Sequence, residues 1–158
     1  MDESPLASGE HCRKESQANL ARLRGPHTLR MTVKITGKMK RPRLLIIEED
    51  DQLREMMQLM ALRSGYRAET AGSAEEGLPI FMNGTFDLVL VDFGMPGMDG
   101  CEFARRIKAS SPNIPVCLTT GLEKDDIPGG LSRCSVDALL LKPFTFGEFR
   151  RTICKLLT

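Results

Sequence analysis

The sequence lacks tryptophan altogether, and it contains one tyrosine, two histidines and five scattered cysteines among its 158 residues. No apolar run is long enough to cross a bilayer, and the N-terminal residues lack the apolar segment of a secretory signal. The cysteines form no CxxC pair, which argues against a zinc framework or a disulfide framework. We therefore expect a protein of the reducing cytoplasm, without disulfides, and no membrane partner.

Charge is distributed unevenly along the chain. Residues 1–43 contain ten basic and four acidic side chains, whereas the remaining residues contain twelve basic and seventeen acidic ones. The basic part has no strong hydrophobic period, so it cannot offset the entropy of becoming ordered. We predict a disordered N-terminal extension over residues 1–40 and one folded domain over residues 41–158. Two alternatives stay open: an arm that binds nucleic acid or a membrane surface, or a translation start at Met31 or Met39.

From Arg43 onward, short apolar runs alternate with helical patterns. The runs are continuously apolar, which is typical of strands that are covered on both sheet faces. Five β-α units of this kind predict an α/β fold in which a parallel sheet is wound on both sides by helices. The predicted strands are residues 44–47, 66–70, 88–91, 114–119 and 136–141.

Chemically active side chains follow four of these strands. Glu48 and Glu49 come after the first strand, Asp92 after the third, Thr120 at the end of the fourth, and Lys142 after the fifth. Because the carboxyl ends of parallel strands lie at one edge of a sheet, we expect these residues to cluster there. Clustered carboxylates suit Mg²⁺, and a carboxylate beside Mg²⁺ and a lysine can attack a phosphoryl group.

The domain resembles the receiver domain of bacterial two-component response regulators over about residues 43–157. The resemblance is carried by the acidic pair Glu48-Glu49, the stretch DFGMPGMDG that begins at Asp92, the pair Thr120-Gly121, and the triplet KPF that begins at Lys142. It implies a flavodoxin-like, doubly wound five-stranded parallel sheet with strand order 2-1-3-4-5. It also implies that Asp92 accepts a phosphoryl group from a histidine kinase or a phosphotransfer protein.

The same resemblance implies a role for each site residue. Lys142 would contact the phosphoryl oxygens, Thr120 would bind one of them and move, and the bond between Lys142 and Pro143 would be cis. Thr119 competes with Thr120 for the hydroxyl role, and the register with the family favours Thr120. The implied ligands of Mg²⁺ are Glu48, Glu49, Asp92 and the carbonyl oxygen of Gly94.

The sequence departs from the family pattern at three places. Glu49 stands where the main metal ligand is usually aspartate, and Leu139 replaces the usual aromatic residue of the switch. The third departure is the stretch Pro128-Gly129-Gly130, which interrupts the predicted fourth helix. Without an aromatic switch, we expect phosphorylation to act by ordering the region of the fourth helix.

We therefore predict a single-domain receiver, which is a phosphoacceptor and not an enzyme apart from the self-phosphorylation and dephosphorylation that the family implies. Its expected partners are a sensor kinase or phosphotransfer protein and a downstream protein that binds the face of helices 4 and 5. The alternative is a pseudo-receiver that is not phosphorylated and acts as a protein scaffold. Nucleic acid is not expected as a partner, because DNA binding would need an output domain or the basic extension.

Overall fold

The computed structural model describes residues 41–158, and the predicted extension over residues 1–40 lies outside them. The described residues contain a parallel sheet of five strands in the order β2-β1-β3-β4-β5, which confirms the predicted order. The strands are β1 (Arg43–Ile47), β2 (Arg67–Ala71), β3 (Leu88–Asp92), β4 (Val116–Thr120) and β5 (Ala138–Leu141).

Four α-helices cover the sheet within the described residues, and each begins at a capping side chain. Asp99 accepts a hydrogen bond from the Glu102 amide, and Thr145 and Glu148 form the reciprocal pair of bonds of a capping box. None of these helices is long and apolar enough to cross a membrane. They are α1 (Asp51–Arg63), α2 (Ala74–Asn83), α3 (Gly100–Ser110) and α4 (Phe146–Leu157).

The core has two layers because alternate strand residues point to opposite sheet faces. On one face, residues such as Val91 and Leu118 pack with Phe103 of α3. On the other face, residues such as Leu90 pack with Met57 of α1 and Phe149 of α4. Each large apolar side chain buried in this way contributes about 1.5–3 kcal/mol to folding. The central strands are buried on both faces, which explains why they read as continuous apolar runs.

No α-helix joins β4 to β5 in the described residues, in contrast to the predicted fourth helix. This connection, residues 121–137, is called the β4–β5 segment below. It contains two short 3₁₀ turns, Lys124–Asp126 and Leu131–Cys134. The backbone between them includes Gly129 and Gly130 with φ of 78° and 74°, a conformation that interrupts a helix and favours glycine. Since the predicted fifth helix is α4 in the structure, the predicted face of helices 4 and 5 is formed by the two 3₁₀ turns and α4.

A disulfide joins Cys101, in the first turn of α3, to Cys134, at the end of the second 3₁₀ turn. The expectation of a chain without disulfides is wrong. The two cysteines are 33 residues apart, and only the packing of the β4–β5 segment against α3 brings them together. Spacing rules for cysteine motifs detect local pairs and metal ligands, so they do not detect this contact.

Candidate functional site

Three charged side chains meet at the carboxyl edge of the sheet. The Nζ atom of Lys142 lies 2.7 Å from Oε2 of Glu48 and 2.8 Å from Oδ1 of Asp92. Glu48 is 1% exposed and Asp92 is 5% exposed. One ammonium group therefore bridges two buried carboxylates, each delivered by the end of a different strand.

Glu48 is held in place from several directions. Its amide donates to the carbonyl of Ala71 at 3.1 Å, which continues the pairing of β1 with β2. Its carbonyl accepts a bond from Nη1 of Arg54 at 2.7 Å, and its Oε1 accepts one from the Asp50 amide at 3.3 Å. These bonds leave Oε2 directed at Lys142, so the carboxylate is positioned before any ligand binds.

Asp92 is placed by the close approach of α3 to the end of β3. The amide of Phe93 donates to the carbonyl of Thr119 at 2.8 Å, and the amide of Gly100 donates to the carbonyl of Phe93 at 3.2 Å. A Cβ atom at Gly100 would lie 2.2 Å from the carbonyl oxygen of Asp92. Only glycine therefore allows α3 to begin this close to the carboxylate.

The loop between β3 and α3, residues 93–99, is anchored to α2 by Glu75. Oε1 of Glu75 accepts a hydrogen bond from the amide of Met98 at 2.9 Å, and this bond lowers the pKa of Glu75. Gly97, with φ of 78°, brings the backbone so near that a Cβ atom would lie 2.7 Å from the same oxygen. Glu75 lies in the first turn of α2 and is not among the residues predicted for the site. Its partner lies 23 residues away, and no local pattern indicates that contact.

Lys142 follows β5 and remains bound to β4. Its amide donates to the carbonyl of Thr120 at 2.7 Å. The peptide bond between Lys142 and Pro143 is cis, the isomer that the resemblance implies. The side chain is 23% exposed, so the ammonium group contacts both the buried carboxylates and solvent at the sheet edge.

The two threonines at the end of β4 differ in their surroundings. Oγ1 of Thr120 accepts a hydrogen bond from the amide of Leu122 at 3.0 Å. Oγ1 of Thr119 is buried and has no hydrogen-bond partner among the described residues. In the sheet register Thr119 lies opposite Asp92, and strand alternation places it on the same face as Asp92, with Thr120 on the other face. Thr120 ends the strand and leads directly into the β4–β5 segment.

The predicted metal ligands are only partly gathered. Glu49 is exposed, and its carbonyl oxygen accepts a bond from Arg54 at 3.3 Å. Within residues 41–158, no group of three acidic, histidine or cysteine side chains is arranged to hold a metal ion. Beside Gly94, a Cβ atom would meet only Oδ2 of Asp92, at 3.9 Å, so this approach to the carboxylate is open. Because Mg²⁺ keeps several waters and uses few protein carboxylates, these oxygen donors fit it without a closed cage.

The electrostatics of the site follow from burial and pairing. Burial raises the pKa of Glu48, and the negative charge of Asp92 adds to this, while the hydrogen bond from Lys142 offsets part of the effect. Burial alone would lower the pKa of Lys142, but its bonds to Asp92 and Glu48 outweigh burial and raise the pKa. Lys142 is therefore charged at neutral pH and holds the two carboxylates together.

Comparison with known families gives a match to the response regulator receiver domain over residues 44–154. Among curated proteins, the transcriptional regulatory protein AfsQ1 of Streptomyces coelicolor is 38% identical over 103 residues, which cover 65% of this chain and 45% of AfsQ1. The transcriptional activator PfeR of Pseudomonas aeruginosa is 37% identical over 109 residues, 68% of this chain and 35% of PfeR. The chain thus spans less than half the length of these relatives.

Solved structures of response regulators are also similar to this chain. The response regulator TrrA of Thermotoga maritima, in complex with Mg²⁺ and BeF, is 31% identical, with a TM-score of 0.68 over 73% of this chain and 99% of TrrA. A complex of the histidine kinase ThkA with TrrA matches at 30% identity and a TM-score of 0.66, over 74% of this chain and 99% of the matched chain. The chemotaxis protein CheY4 of Vibrio cholerae, at 24% identity and a TM-score of 0.70 over 74% of this chain and 99% of CheY4, shares the fold.

Proposed function

This chain belongs to the response regulator receiver family, and on that premise we propose that Asp92 accepts a phosphoryl group in a two-component phosphorelay. The observation that carries the proposal is the ammonium group of Lys142, which contacts both Asp92 and the buried Glu48. We assign the receiver domain to residues 41–158 and regard the basic residues 1–40 as an extension of it.

Asp92 is the nucleophile in this proposal. One carboxylate oxygen forms a bond to phosphorus while the bond from phosphorus to the donor breaks, and the donor leaves with the electron pair. Lys142 binds Oδ1 of Asp92 already, so its charge lies where the negative charge of the phosphoryl oxygens develops. Thr120, at the end of β4, would donate its hydroxyl proton to one of those oxygens.

The residues proposed to hold Mg²⁺ are Glu48, Glu49, Asp92 and the carbonyl oxygen of Gly94. A bound Mg²⁺ would neutralise charge on the phosphoryl oxygens and on the donor. The open approach beside Gly94 supports this set, because it leaves space next to the carboxylate of Asp92. The likeness to TrrA, which was solved with Mg²⁺ and BeF, also supports it.

A histidine kinase or a phosphotransfer protein is the proposed donor. The support is the likeness to TrrA, which forms a complex with the kinase ThkA. For the downstream partner we propose the surface formed by the β4–β5 segment and α4. This segment begins immediately after Thr120, so a change at the phosphorylated edge acts on it first.

One observation favours a second candidate, a pseudo-receiver that is not phosphorylated. Lys142 already balances part of the charge of Glu48 and Asp92, and the side chain of Glu49 is exposed. A chain of this kind would keep the fold as a binding scaffold. The experiment below separates the two candidates.

The test is the intact mass of the full chain after incubation with acetyl phosphate and Mg²⁺. We expect a gain of one phosphoryl group, lost when Mg²⁺ is chelated and lost in Asp92→Asn. Asp125→Asn, at an exposed acid of the first 3₁₀ turn, is the matched control and should gain the group normally. A wild-type chain that gains no mass, under conditions that label a known receiver, would favour the scaffold.

A further inference from the structure

The disulfide between Cys101 and Cys134 joins the two stretches of chain that leave the phosphoacceptor edge. Cys101 lies in the first turn of α3, directly after the loop that begins at Asp92. Cys134 ends the second 3₁₀ turn of the β4–β5 segment, which begins after Thr120. The covalent bond therefore ties the segment that follows the proposed switch threonine to the helix that follows the proposed phosphoacceptor.

The rest of the β4–β5 segment is attached unevenly, with an exposed first half and a second half that packs against the core. Residues 121–126 are exposed, Ile127 is 2% exposed, and Leu131 and Val136 are partly buried against the same core. Arg133 adds an ion pair to Asp99, with Nη2 and Oδ2 3.0 Å apart, but both side chains are partly exposed and such pairs contribute little. The disulfide adds a covalent attachment to α3 to these apolar contacts.

We propose that Cys101 and Cys134 are a redox modification site. When they are oxidised, their disulfide holds the β4–β5 segment against α3, and reduction releases the segment. This redox-controlled attachment is called the clasp below. The clasp would limit how far the β4–β5 segment moves when Thr120 turns toward the phosphoryl group on Asp92. The link to phosphorylation rests on the proposed function, whereas the redox control of the attachment does not.

The reaction partner is a low-molecular-weight disulfide such as oxidised glutathione. The thiolate of one cysteine attacks this disulfide and releases one glutathione thiolate, and the second cysteine then attacks the mixed disulfide and releases the other. Two protein thiols give up two protons and two electrons, one protein S–S bond forms, and the glutathione disulfide becomes two thiols.

Burial makes this exchange depend on local opening. Cys101 is 1% exposed and Cys134 is not exposed, so glutathione reaches them only when the β4–β5 segment lifts from α3. Cys117 lies on the opposite face of the sheet, and burial raises the pKa of its thiol to about 12. Cys117 therefore remains a thiol and does not compete for the disulfide.

The link to phosphorylation runs through Thr120. Its Oγ1 now accepts the bond from the Leu122 amide at the start of the β4–β5 segment. If Thr120 turns to a phosphoryl oxygen, this bond breaks and the start of the segment shifts, while the disulfide holds its far end at Cys134. Coupling of this kind is reciprocal, so a phosphate mimic must change the equilibrium for disulfide formation.

The first experiment uses the full chain equilibrated with reduced or oxidised glutathione. Thiols are trapped by alkylation, the disulfide is located by peptide mapping, and amide hydrogen exchange is measured over residues 122–135. We expect a disulfide between Cys101 and Cys134 in the oxidised chain, with exchange in the segment slower by at least about tenfold. The Cys101→Ala/Cys134→Ala variant should exchange quickly under both conditions, and Cys154→Ala should behave like wild type. Equal exchange in the oxidised and reduced wild type would overturn the clasp.

The second experiment measures the glutathione equilibrium of the same disulfide with and without beryllofluoride and Mg²⁺. We expect the equilibrium constant to change by about fivefold or more. An unchanged constant, with beryllofluoride bound as read by ¹⁹F NMR, overturns the coupling alone. If beryllofluoride does not bind, the proposed function fails and the coupling fails with it, while the first experiment still decides the clasp.

Discussion

Replacing Lys142 with methionine removes the ammonium group between Glu48 and Asp92 and keeps the length of the side chain. The wild-type group makes two short charged contacts, of 2.7 and 2.8 Å. Its loss leaves two acidic groups at a buried edge, with Glu48 almost fully buried. The substitution therefore tests whether the site is held together by this one charge.

The expected cost follows from the burial of the partners. Removing one partner of a buried ion pair costs about 3–5 kcal/mol, because the other charge stays buried without compensation. Here Lys142 is 23% exposed, and Glu48 can take up a proton, so we expect a loss of about 2–4 kcal/mol in the free energy of unfolding near neutral pH.

The loss should depend on pH in a defined direction. The bond from Lys142 lowers the pKa of Glu48 against the effect of burial, so the variant has a Glu48 pKa still further above its unfolded value. Such a carboxyl binds more protons when folded than when unfolded. The stability of the variant therefore falls as pH rises through the interval between the two pKa values. The cost of the substitution should be larger at about pH 7.5 than at about pH 5.

The assay is urea unfolding followed by circular dichroism, since the chain has no tryptophan. The matched control is Lys108→Met, which removes a 2.7 Å ion pair to Asp137, a residue that is 41% exposed. We expect the control to lose no more than about 1 kcal/mol. Adding Mg²⁺ should restore part of the stability of the Lys142 variant. A loss no larger than that of the control, or a loss that grows toward low pH, would refute the reasoning.

Three further predictions concern the frame of the site. Thr119→Val should leave the free energy of unfolding unchanged or raise it, because it removes a buried hydroxyl without a partner; if it abolishes phosphorylation, Thr119 has the role assigned to Thr120. Gly100→Ala should cost about 1–3 kcal/mol in urea unfolding, since its Cβ atom would lie 2.2 Å from the carbonyl oxygen of Asp92; an unchanged midpoint would show that α3 can move. The amide bound by Glu75 should titrate in NMR with a midpoint below 4.5, the ordinary glutamate pKa. The stability from this bond is present above the unfolded pKa and is lost as pH falls through the folded one; a midpoint above 4.5 would contradict the anchor.

The cluster of Glu48, Asp92 and Lys142 could be expected from the sequence because each residue directly follows an apolar run. Parallel strands bring their carboxyl ends to one edge, so position along the chain translates into position in space. The same reasoning does not decide whether a residue after a strand turns inward. Glu48 is buried and Glu49 is exposed, although both are glutamates next to each other.

Contacts between distant elements could not be predicted in this way. The bond from Met98 to Glu75 and the disulfide between Cys101 and Cys134 span 23 and 33 residues. Both depend on how the loop after β3 and the β4–β5 segment pack on neighbouring helices. Local patterns carry no information about such packing, and the stretch Pro128-Gly129-Gly130 indicated only that a regular helix would be interrupted there.

The proposed phosphorylation of Asp92 can be tested chemically with sodium borohydride, which reduces an acyl phosphate to an alcohol. Tandem mass spectrometry then identifies the residue that was converted. We expect homoserine at position 92 and at no other acidic position, with none formed when Mg²⁺ is chelated. Conversion at Glu48, Glu49 or any other carboxylate, with Asp92 unchanged, would contradict the assignment of Asp92 as the phosphoacceptor.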